Sequence, residues 1–227
     1  MRYYNFLLLI ILASPSALLA AVQMPDKALC SVCALKGGET EWEKVKAHSQ
    51  HDGSTYYFCS KDCKIEFDSD PLAYLPPVLP RPAPAFVVEM PEGKDRALAD
   101  LRGKVVLVDF WATWCKPCLE TMPRLQKLYS AYSARGFEVL GVSIDEDKDR
   151  VKKIKKMVTK MAISYPIFID AKQTPAWYQF KVKAIPAMYL LDGESQIVAQ
   201  WTGKIDYKEV EKEVLKRLDK RVEVEEP

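Results

Sequence analysis

Three close pairs of cysteines carry the chemistry that this sequence offers. They are the only six cysteines of the 227-residue chain and read Cys30-x2-Cys33, Cys59-x3-Cys63 and Cys115-x2-Cys118. Thiols at such spacings form redox-active disulfides, structural disulfides or sites for soft metal ions. The three pairs stand in different local contexts, which argues against a framework of three structural disulfides.

The third pair follows a predicted buried strand and opens a predicted helix. Residues 104–110 are an apolar run rich in β-branched side chains, and apolar residues recur at helical spacing from about 116 to 134. Cys115 is therefore expected at a helix N-terminus, where free backbone N–H groups and the helix dipole stabilise a thiolate. We expect Cys115 to attack the substrate and the more buried Cys118 to resolve the mixed disulfide. Pro117 fits there because an early helical position does not use its N–H.

Strands and helices alternate after this pair. The pattern predicts strands over 137–144, 166–170, 187–191 and 196–201, and helices over 147–161, 174–180 and 206–218. Asp192-Gly193 is a hairpin signal between the last two strands. In the helix over 147–161, Val151 and Ile154 are expected to face inward, with the lysines outward. The order βαβ, then α, then ββα predicts an α/β fold with a mixed sheet and helices on both faces.

Two residues outside the cysteine pairs stand out in this half. Asp109 lies on the apolar strand before Cys115, where burial of a carboxylate is costly and would raise its pKa toward that of a general base at neutral pH. An edge-exposed or hydrogen-bonded structural aspartate is the alternative. Pro186, after Ile185, precedes an apolar strand and has no N–H for a ladder. Trp114 is expected to shape a docking surface near the pair, together with Trp111, although both would also suit a core.

The segment from Val108 to Cys118, Val-Asp-Phe-Trp-Ala-Thr-Trp-Cys-Lys-Pro-Cys, resembles the active-site signature of the thioredoxin superfamily. It is most similar to the exported TlpA/ResA-type branch, over about residues 84–219. The resemblance implies a thioredoxin fold and a thiol-disulfide oxidoreductase whose redox reaction needs no cofactor. It also implies that Asp109 exchanges a proton with Cys118, and that Ile185 and a cis Pro186 meet the substrate chain.

The sequence departs from this branch at one position. The branch commonly has glutamate three residues after the second cysteine, whereas this chain has Thr121 there and its acid at Glu120. We therefore assign neither residue a catalytic role and expect both on the helix surface.

The first two cysteine pairs lie in a separate small segment. Four soft thiolates, Cys30, Cys33, Cys59 and Cys63, suffice for a closed tetrahedral site that suits Zn²⁺ or Cu(I). With Phe67 and Asp70-Pro71 they resemble the YHS/TRASH metal-binding module, a treble-clef-like domain over about residues 28–75. So short a segment needs a metal or disulfides to hold it. Two disulfides are the alternative, and a second redox pair at Cys30 and Cys33 is a weaker one. The two histidines of the chain, His48 and His51, are expected to be exposed in the intervening loop rather than ligands.

The remaining segments complete a domain plan. Residues 1–21 have a basic start, an apolar run and small residues at 17, 20 and 21, which predicts a secretory signal and a periplasmic or otherwise exported protein. An uncleaved membrane tether is the alternative. Five prolines within 76–85 predict a semi-rigid linker between the two domains. The thioredoxin-like domain is expected over 86–220 and a frayed acidic tail over 221–227.

Charge narrows the function. Thirty-three basic and thirty-one acidic residues leave a net charge of +2, so the chain has no strongly basic surface for binding nucleic acid.

We predict a reductant of disulfides in exported apoproteins, in cytochrome c or copper-site maturation, served by a membrane-embedded electron donor of the DsbD/CcdA type. The alternative is a metallochaperone or metal sensor for copper or zinc. The C-terminal half has no histidine, which counts against a metal site there.

Overall fold

The computed structural model describes residues 24–36 and 42–225, with side chains up to residue 220, so the predicted signal lies outside the described residues. Twelve strands and six α-helices occur in this part of the chain. In chain order they are β1 Lys27–Ala28, α1 Ser31–Leu35, β2 Glu43–Lys44, β3 Ala47–His51, β4 Ser54–Phe58, α2 Lys61–Ser69, β5 Arg81–Pro82, β6 Val87–Glu89, β7 Asp95–Ala97, β8 Val105–Trp111, α3 Lys116–Tyr132, β9 Phe137–Ser143, α4 Arg150–Lys160, β10 Ile167–Asp170, α5 Ala176–Gln179, β11 Ala187–Leu191, β12 Gln196–Thr202 and α6 Tyr207–Glu225.

One large sheet organises the C-terminal part of the chain. Its eight strands lie in the order β5-β12-β11-β8-β9-β10-β6-β7. β8, β9 and β10 run parallel, and the other neighbours are antiparallel. Every residue of β8, β9 and β10 is buried, because the sheet is covered on both faces. The predicted mixed α/β sheet is confirmed.

Alternation along β8 separates two hydrophobic cores. Val105, Leu107 and Trp111 point into one core, whereas the even-numbered residues between them point into the other. The first core is closed by α3 and α6, with Ile154 of α4 beside them. The second is closed by α5 and by a short 3₁₀ helix over Leu98–Leu101. Both faces of the sheet therefore carry helices, as predicted.

A small cysteine-rich module precedes the sheet. The hairpin of β3 and β4 packs with α1 and α2 around a core that includes Val32, Phe58 and Phe67. The hydroxyl of Ser60 accepts the N–H of Cys63 at 3.1 Å and caps α2. His48 and His51 lie on strand β3, half-buried, so the prediction of exposed loop histidines is wrong.

The two parts of the chain are in contact through charged groups. Asp70, after α2, lies 3.7 Å from Nζ of Lys181 and 3.6 Å from Nζ of Lys183. The Lys183 ammonium also lies 5.9 Å from the ring centroid of Tyr74. The module is therefore held against the loop that precedes β11, close to Ile185 and Pro186.

Several predicted boundaries shift. Arg81–Pro82 pairs with β12 as an edge strand, so the segment over 76–85 is not wholly a free linker. Proline is tolerated there because an edge strand leaves one side unpaired. α6 continues to Glu225, past the predicted boundary at 220 and into the predicted acidic tail. In α4, which begins at Arg150 and thus later than predicted, Val151 is 37% exposed, so the prediction that it faces inward is wrong.

None of the helices formed by residues 24–36 and 42–225 combines the length and the apolar composition that a membrane crossing requires.

Candidate active site and thiol cluster

Cys115 and Cys118 form a disulfide at the start of α3, with Cα atoms 5.3 Å apart. Cys115 is the N-cap residue, and its sulfur accepts the backbone N–H of Cys118 at 3.3 Å. Cys115 is 5% exposed and Cys118 0%. The outer sulfur is thus the one that faces a partner and receives the helix N–H, an arrangement that favours a thiolate at Cys115 on reduction.

The loop between β8 and Cys115 is anchored by a buried carboxylate. Asp145, 1% exposed, accepts the backbone N–H of Thr113 at 2.9 Å and its hydroxyl at 2.7 Å. The hydroxyl of Ser143 donates to the same carboxylate at 2.7 Å. Sequence reasoning assigned no role to Asp145, although a carboxylate directly after a buried strand was the available signal. Its three bonds fix the backbone that leads into the cysteine pair.

Asp109 is fully buried on the same face of β8 as Trp111, in the core that also contains Cys118. Neither of its carboxylate oxygens has a hydrogen-bond partner among the described residues. Burial raises its pKa from 3.8 to about 8. A carboxyl with this pKa can both take and release a proton near neutral pH. The alternative of a hydrogen-bonded structural aspartate does not fit these surroundings.

Two grooves flank the disulfide. The Ile185–Pro186 peptide bond is cis, and both residues line a groove with Pro117 and Tyr207. Lys36, from the end of α1, lines the same groove, so the cysteine-rich module reaches the groove of Pro186. Trp114 and Ile185 line a second groove on the other side.

The two tryptophans differ in environment. Trp114 is 68% exposed beside the pair, whereas Trp111 is fully buried in the core.

Thr121 is also buried, at 7% exposure, and its hydroxyl donates to the carbonyl of Cys118 at 2.6 Å. The prediction that Thr121 lies on the helix surface is wrong, because α3 turns this residue toward the sheet; Glu120 lines the groove of Pro186.

The other four cysteines are unpaired and converge. The sulfur atoms of Cys30, Cys33, Cys59 and Cys63 all lie within 4.8 Å of one another. Cys33 Sγ lies 3.4 Å from Cys59 Sγ and 3.8 Å from Cys63 Sγ, and the last two sulfurs are 3.8 Å apart. Four sulfurs at about 2.3 Å from a central zinc ion would be about 3.8 Å from one another, so the donor set fits tetrahedral coordination.

The electrostatics of this cluster also suit a cation. Burial raises the pKa of Cys33 to about 11 and raises that of Cys59 further, with a contribution from the neighbouring Glu43 carboxylate. Burial also acts on Cys30, but hydrogen bonds with the backbone of Cys59 and Cys33 lower its pKa overall. A bound cation would favour the thiolate form of all four cysteines. The metal ligands predicted from sequence are thus brought together, and both histidines lie outside the set.

Comparison with known proteins places this geometry in a family. Residues 79–200 match the AhpC/TSA family, and residues 41–78 match the YHS domain. The chain belongs to the AhpC/TSA family. Its thioredoxin-like domain follows a YHS domain, and the YHS match begins after Cys30 and Cys33, which the structure nonetheless places in the same cluster.

Several relatives are named as thiol-disulfide oxidoreductases. The thiol-disulfide oxidoreductase ResA of Geobacillus thermodenitrificans is 34% identical over 128 residues, which cover 56% of this chain and 71% of the relative. ResA of Bacillus anthracis is 37% identical over 122 residues, or 54% and 68% of the two chains. The protein is therefore a thiol-disulfide oxidoreductase, whose substrates are protein thiols and disulfides.

Solved structures agree. The thioredoxin domain of a thiol-disulfide oxidoreductase from Bacteroides vulgatus is 31% identical with a TM-score of 0.53, covering 59% of this chain and 96% of that one. A thiol:disulfide interchange protein from a Bacteroides species is 27% identical with a TM-score of 0.53, covering 62% and 90%.

Proposed function

We propose that the protein is an exported reductase of disulfides in exported apoproteins, with Cys115 and Cys118 as its redox pair and Asp109 as its proton acceptor. One observation carries this proposal. The buried carboxyl of Asp109, which has no hydrogen-bond partner among the described residues, lies in the same core as Cys118, and Cys118 lies in the first turn of the helix that Cys115 caps.

The proposed reaction needs only the substrate disulfide and these three residues. In the dithiol form, the Cys115 thiolate attacks a substrate disulfide, which forms a mixed disulfide and releases one substrate thiolate. Cys118 then gives its proton to Asp109 and attacks the Cys115 sulfur. The mixed disulfide breaks, the second substrate thiolate leaves, and the Cys115–Cys118 disulfide forms. The substrate disulfide gains two electrons and the enzyme dithiol loses two.

The surroundings of Cys115 support reduction rather than oxidation of substrates. Strong oxidants of this kind owe their potential to extra stabilisation of the reduced thiolate, typically by a nearby cation. Both histidines of the chain are in the cysteine-rich module, and the Cys115 sulfur accepts the backbone N–H of Cys118. Lys116 follows Cys115 directly and favours the thiolate, but the thioredoxin-like half has no histidine to stabilise it further.

Substrate contact is proposed for the residues that flank the disulfide. Trp114 offers a large exposed aromatic surface, and Ile185 with Pro186 lines the adjoining groove. Exposed aromatic side chains at such positions dominate protein binding energies. Ile185 would offer backbone groups to the substrate chain.

The proposals on export and on partner proteins are supported by the sequence. The basic start, apolar run and small residues within 1–21 support a secretory signal, and hence a periplasmic location or an equivalent one outside the cytoplasmic membrane. In that oxidising compartment the pair must be re-reduced, which a membrane-embedded donor of the DsbD/CcdA type would do. Apocytochrome c and copper-site cysteines are the proposed substrates.

We also propose that Cys30, Cys33, Cys59 and Cys63 hold one Zn²⁺ or Cu(I) ion. The sulfur spacing supports this, and a bound ion would supply folding free energy to a module with a core of few residues. The same cluster supports the second candidate function, a metallochaperone or metal sensor. In that case the ion would exchange with a partner protein.

The test uses the mature chain and a peptide that contains an apocytochrome c Cys-x-x-Cys-His disulfide. We expect the reduced wild type to reduce this peptide and Cys118→Ser to accumulate a mixed disulfide through Cys115. No reduction of the peptide, together with transfer of the metal to a copper-site apoprotein, would favour the metallochaperone. Cell fractionation and N-terminal sequencing of the full chain test export separately.

A further inference from the structure

The groove of Pro186 collects positive charge from three separate elements. Lys36 comes from the end of α1 in the cysteine-rich module, Arg124 from α3, and Lys204 from the loop between β12 and α6. All three residues are exposed. Glu120 of α3 is the one acidic residue that lines this groove in the described part of the chain. The groove therefore carries an excess of positive charge on a chain whose formal net charge is only +2.

Two of these cations have no acidic partner. The ion pairs formed among residues 24–36 and 42–220 include neither Arg124 nor Lys204. The guanidinium carbon of Arg124 instead lies 5.0 Å from the centroid of the Tyr207 ring, which lines the same groove. A cation–π contact of this kind holds the guanidinium in place and leaves its charge uncompensated.

Lys36 is held in position by the second helix of its module. Its Nζ atom lies 2.7 Å from each carboxylate oxygen of Glu66 on α2, and the hydroxyl of Tyr74 donates to Oε1 of the same carboxylate at 2.6 Å. The Lys36 side chain nevertheless remains 44% exposed. Two N–H groups of the ammonium can serve these two oxygens, so the third is left for an acceptor in the groove.

A second contact anchors the module beside the groove. Asp70, directly after α2, lies 3.6 Å from Nζ of Lys183, which stands two residues before Ile185. Ile185 and Pro186 both line the groove. The module that carries Lys36 is therefore attached to the same loop that supplies Pro186, and Lys36 is a constituent of the groove.

The groove also adjoins the redox pair. Pro117, which stands between Cys115 and Cys118, lines it opposite no acidic residue other than Glu120 among the described residues. A substrate chain that presents its disulfide to Cys115 thus has a charged groove next to the reacting sulfur atoms.

We propose that the groove of Pro186 binds the segment that adjoins the disulfide of a substrate polypeptide, and that Lys36, Arg124 and Lys204 select segments with acidic side chains. This inference rests on the proposed function and deepens it, because it names the chemical class of the substrate. Carboxylates of the segment accept charge-assisted hydrogen bonds from the ammonium and guanidinium groups, and opposite charges also raise the rate of encounter. A basic segment is repelled by the same groups.

The experiment compares three peptides as substrates of the reduced mature chain. Each contains the same Cys-x-x-Cys disulfide, flanked on both sides by two aspartates, two asparagines or two lysines. Every rate is divided by the rate at which dithiothreitol reduces the same peptide, which removes the intrinsic reactivity of the disulfide. We expect kcat/KM for the acidic peptide to exceed that for the basic one about tenfold at low salt, through KM. The difference should vanish near 1 M salt, where the Debye length is about 3 Å.

Variants separate the charge of the groove from the packing of the module. Lys204→Met and Lys36→Met each remove one cation, and each should lower the preference for the acidic peptide about threefold with kcat unchanged. Glu66→Gln is the matched control for Lys36→Met, since it breaks the same ion pair and leaves the ammonium. Its preference should equal that of wild type. Equal losses in Glu66→Gln and Lys36→Met would show that the ion pair shapes the module, and would overturn the role of the Lys36 charge.

Failure of this inference and failure of the proposed function are distinguishable. Equal normalised rates for the three peptides in wild type would overturn the selection of acidic segments and leave the reductase standing. Reduction of none of the peptides would overturn both. A preference that persists in Lys36→Met and in Lys204→Met would place the selection outside this groove and also overturn the inference. Should Lys36→Met not fold, Lys204→Met, which breaks no ion pair among the described residues, carries the same test.

Discussion

The backbone N–H of Cys118 donates to the sulfur of Cys115 at 3.3 Å, so the two cysteines are linked by an N-cap as well as by their disulfide. The same turn of α3 therefore stabilises the outer sulfur and buries the inner one. An asymmetric pair of this kind assigns attack to Cys115 and resolution to Cys118, which leads to the first prediction.

Cys115→Ser should abolish reduction of a protein disulfide, whereas Cys118→Ser should form a lasting mixed disulfide with it. The reason is that only Cys115 is placed to meet a partner, and only Cys118 is placed to displace it. Non-reducing gel electrophoresis with a disulfide-containing peptide checks both variants. A mixed disulfide formed by Cys115→Ser at the wild-type rate would reverse the assignment.

Asp109→Asn should flatten the pH dependence of stability. Burial raises the pKa of Asp109 from 3.8 to about 8 in the folded chain, so the folded state keeps a proton that the unfolded chain has released. This stabilising contribution is present in full below about pH 4 and is lost as the pH rises through about 8.

Urea unfolding at about pH 5 and about pH 9 measures this effect. The free energy of unfolding of wild type should fall by several kcal/mol more than that of Asp109→Asn over this interval. Asp95→Asn, at an exposed position on β7, is the control, and its free energy of unfolding should change with pH as that of wild type does. If the free energy of unfolding of Asp109→Asn also changes with pH as that of wild type does, the Asp109 carboxyl titrates as it does in water.

Trp114→Ala should weaken the binding of protein substrates without loss of stability. Its side chain is 68% exposed, so its removal leaves little of the fold uncovered, while an aromatic anchor at an interface contributes about 1–3 kcal/mol. We expect KM for a protein disulfide to rise about tenfold with the thermal midpoint unchanged.

Trp42, on the cysteine-rich module, is also 68% exposed and provides the matched control. Trp42→Ala should leave KM at the wild-type value. Equal losses in the two variants would mean that substrate contacts extend over the module rather than centring on Trp114.

Removal of metal should unfold the cysteine-rich module and spare the redox pair. The module has a core of few side chains, so four sulfurs without an ion cannot hold it. We expect one Zn²⁺ per chain in protein loaded with zinc, none in Cys33→Ala, and faster proteolysis of the module in that variant. Cys115→Ser should keep its metal. Retention of the ion by Cys33→Ala would exclude the four-sulfur site.

Much of the fold could be predicted from the sequence because buried parallel strands leave a strong apolar signal. The runs that form β8, β9 and β11 were located to within one residue for this reason. The pairing of Arg81–Pro82 with β12 could not be predicted, since proline density indicates an extended chain and does not indicate which edge accepts it.

The site was predicted less completely where its parts meet only after folding. The cysteines and Asp109 stand next to recognisable strand and helix signals. By contrast, Asp145 reaches Thr113 across 32 residues of chain. The spacing of apolar residues in α3 does not reveal that Thr121 is buried, because a threonine contributes no apolar signal to the pattern.

Equilibration of the mature, metal-loaded protein with thiol buffers of known potential, followed by mass spectrometry of alkylated cysteines, tests the central claim most directly. We expect Cys115 and Cys118 alone to change between dithiol and disulfide, at a midpoint near the thioredoxin value of about −270 mV, while the other four thiols stay bound to metal. Disulfides among Cys30, Cys33, Cys59 and Cys63 at the same potentials, or a midpoint near the value of about −120 mV typical of a strong oxidant, would contradict a reductase that carries a metal-binding module.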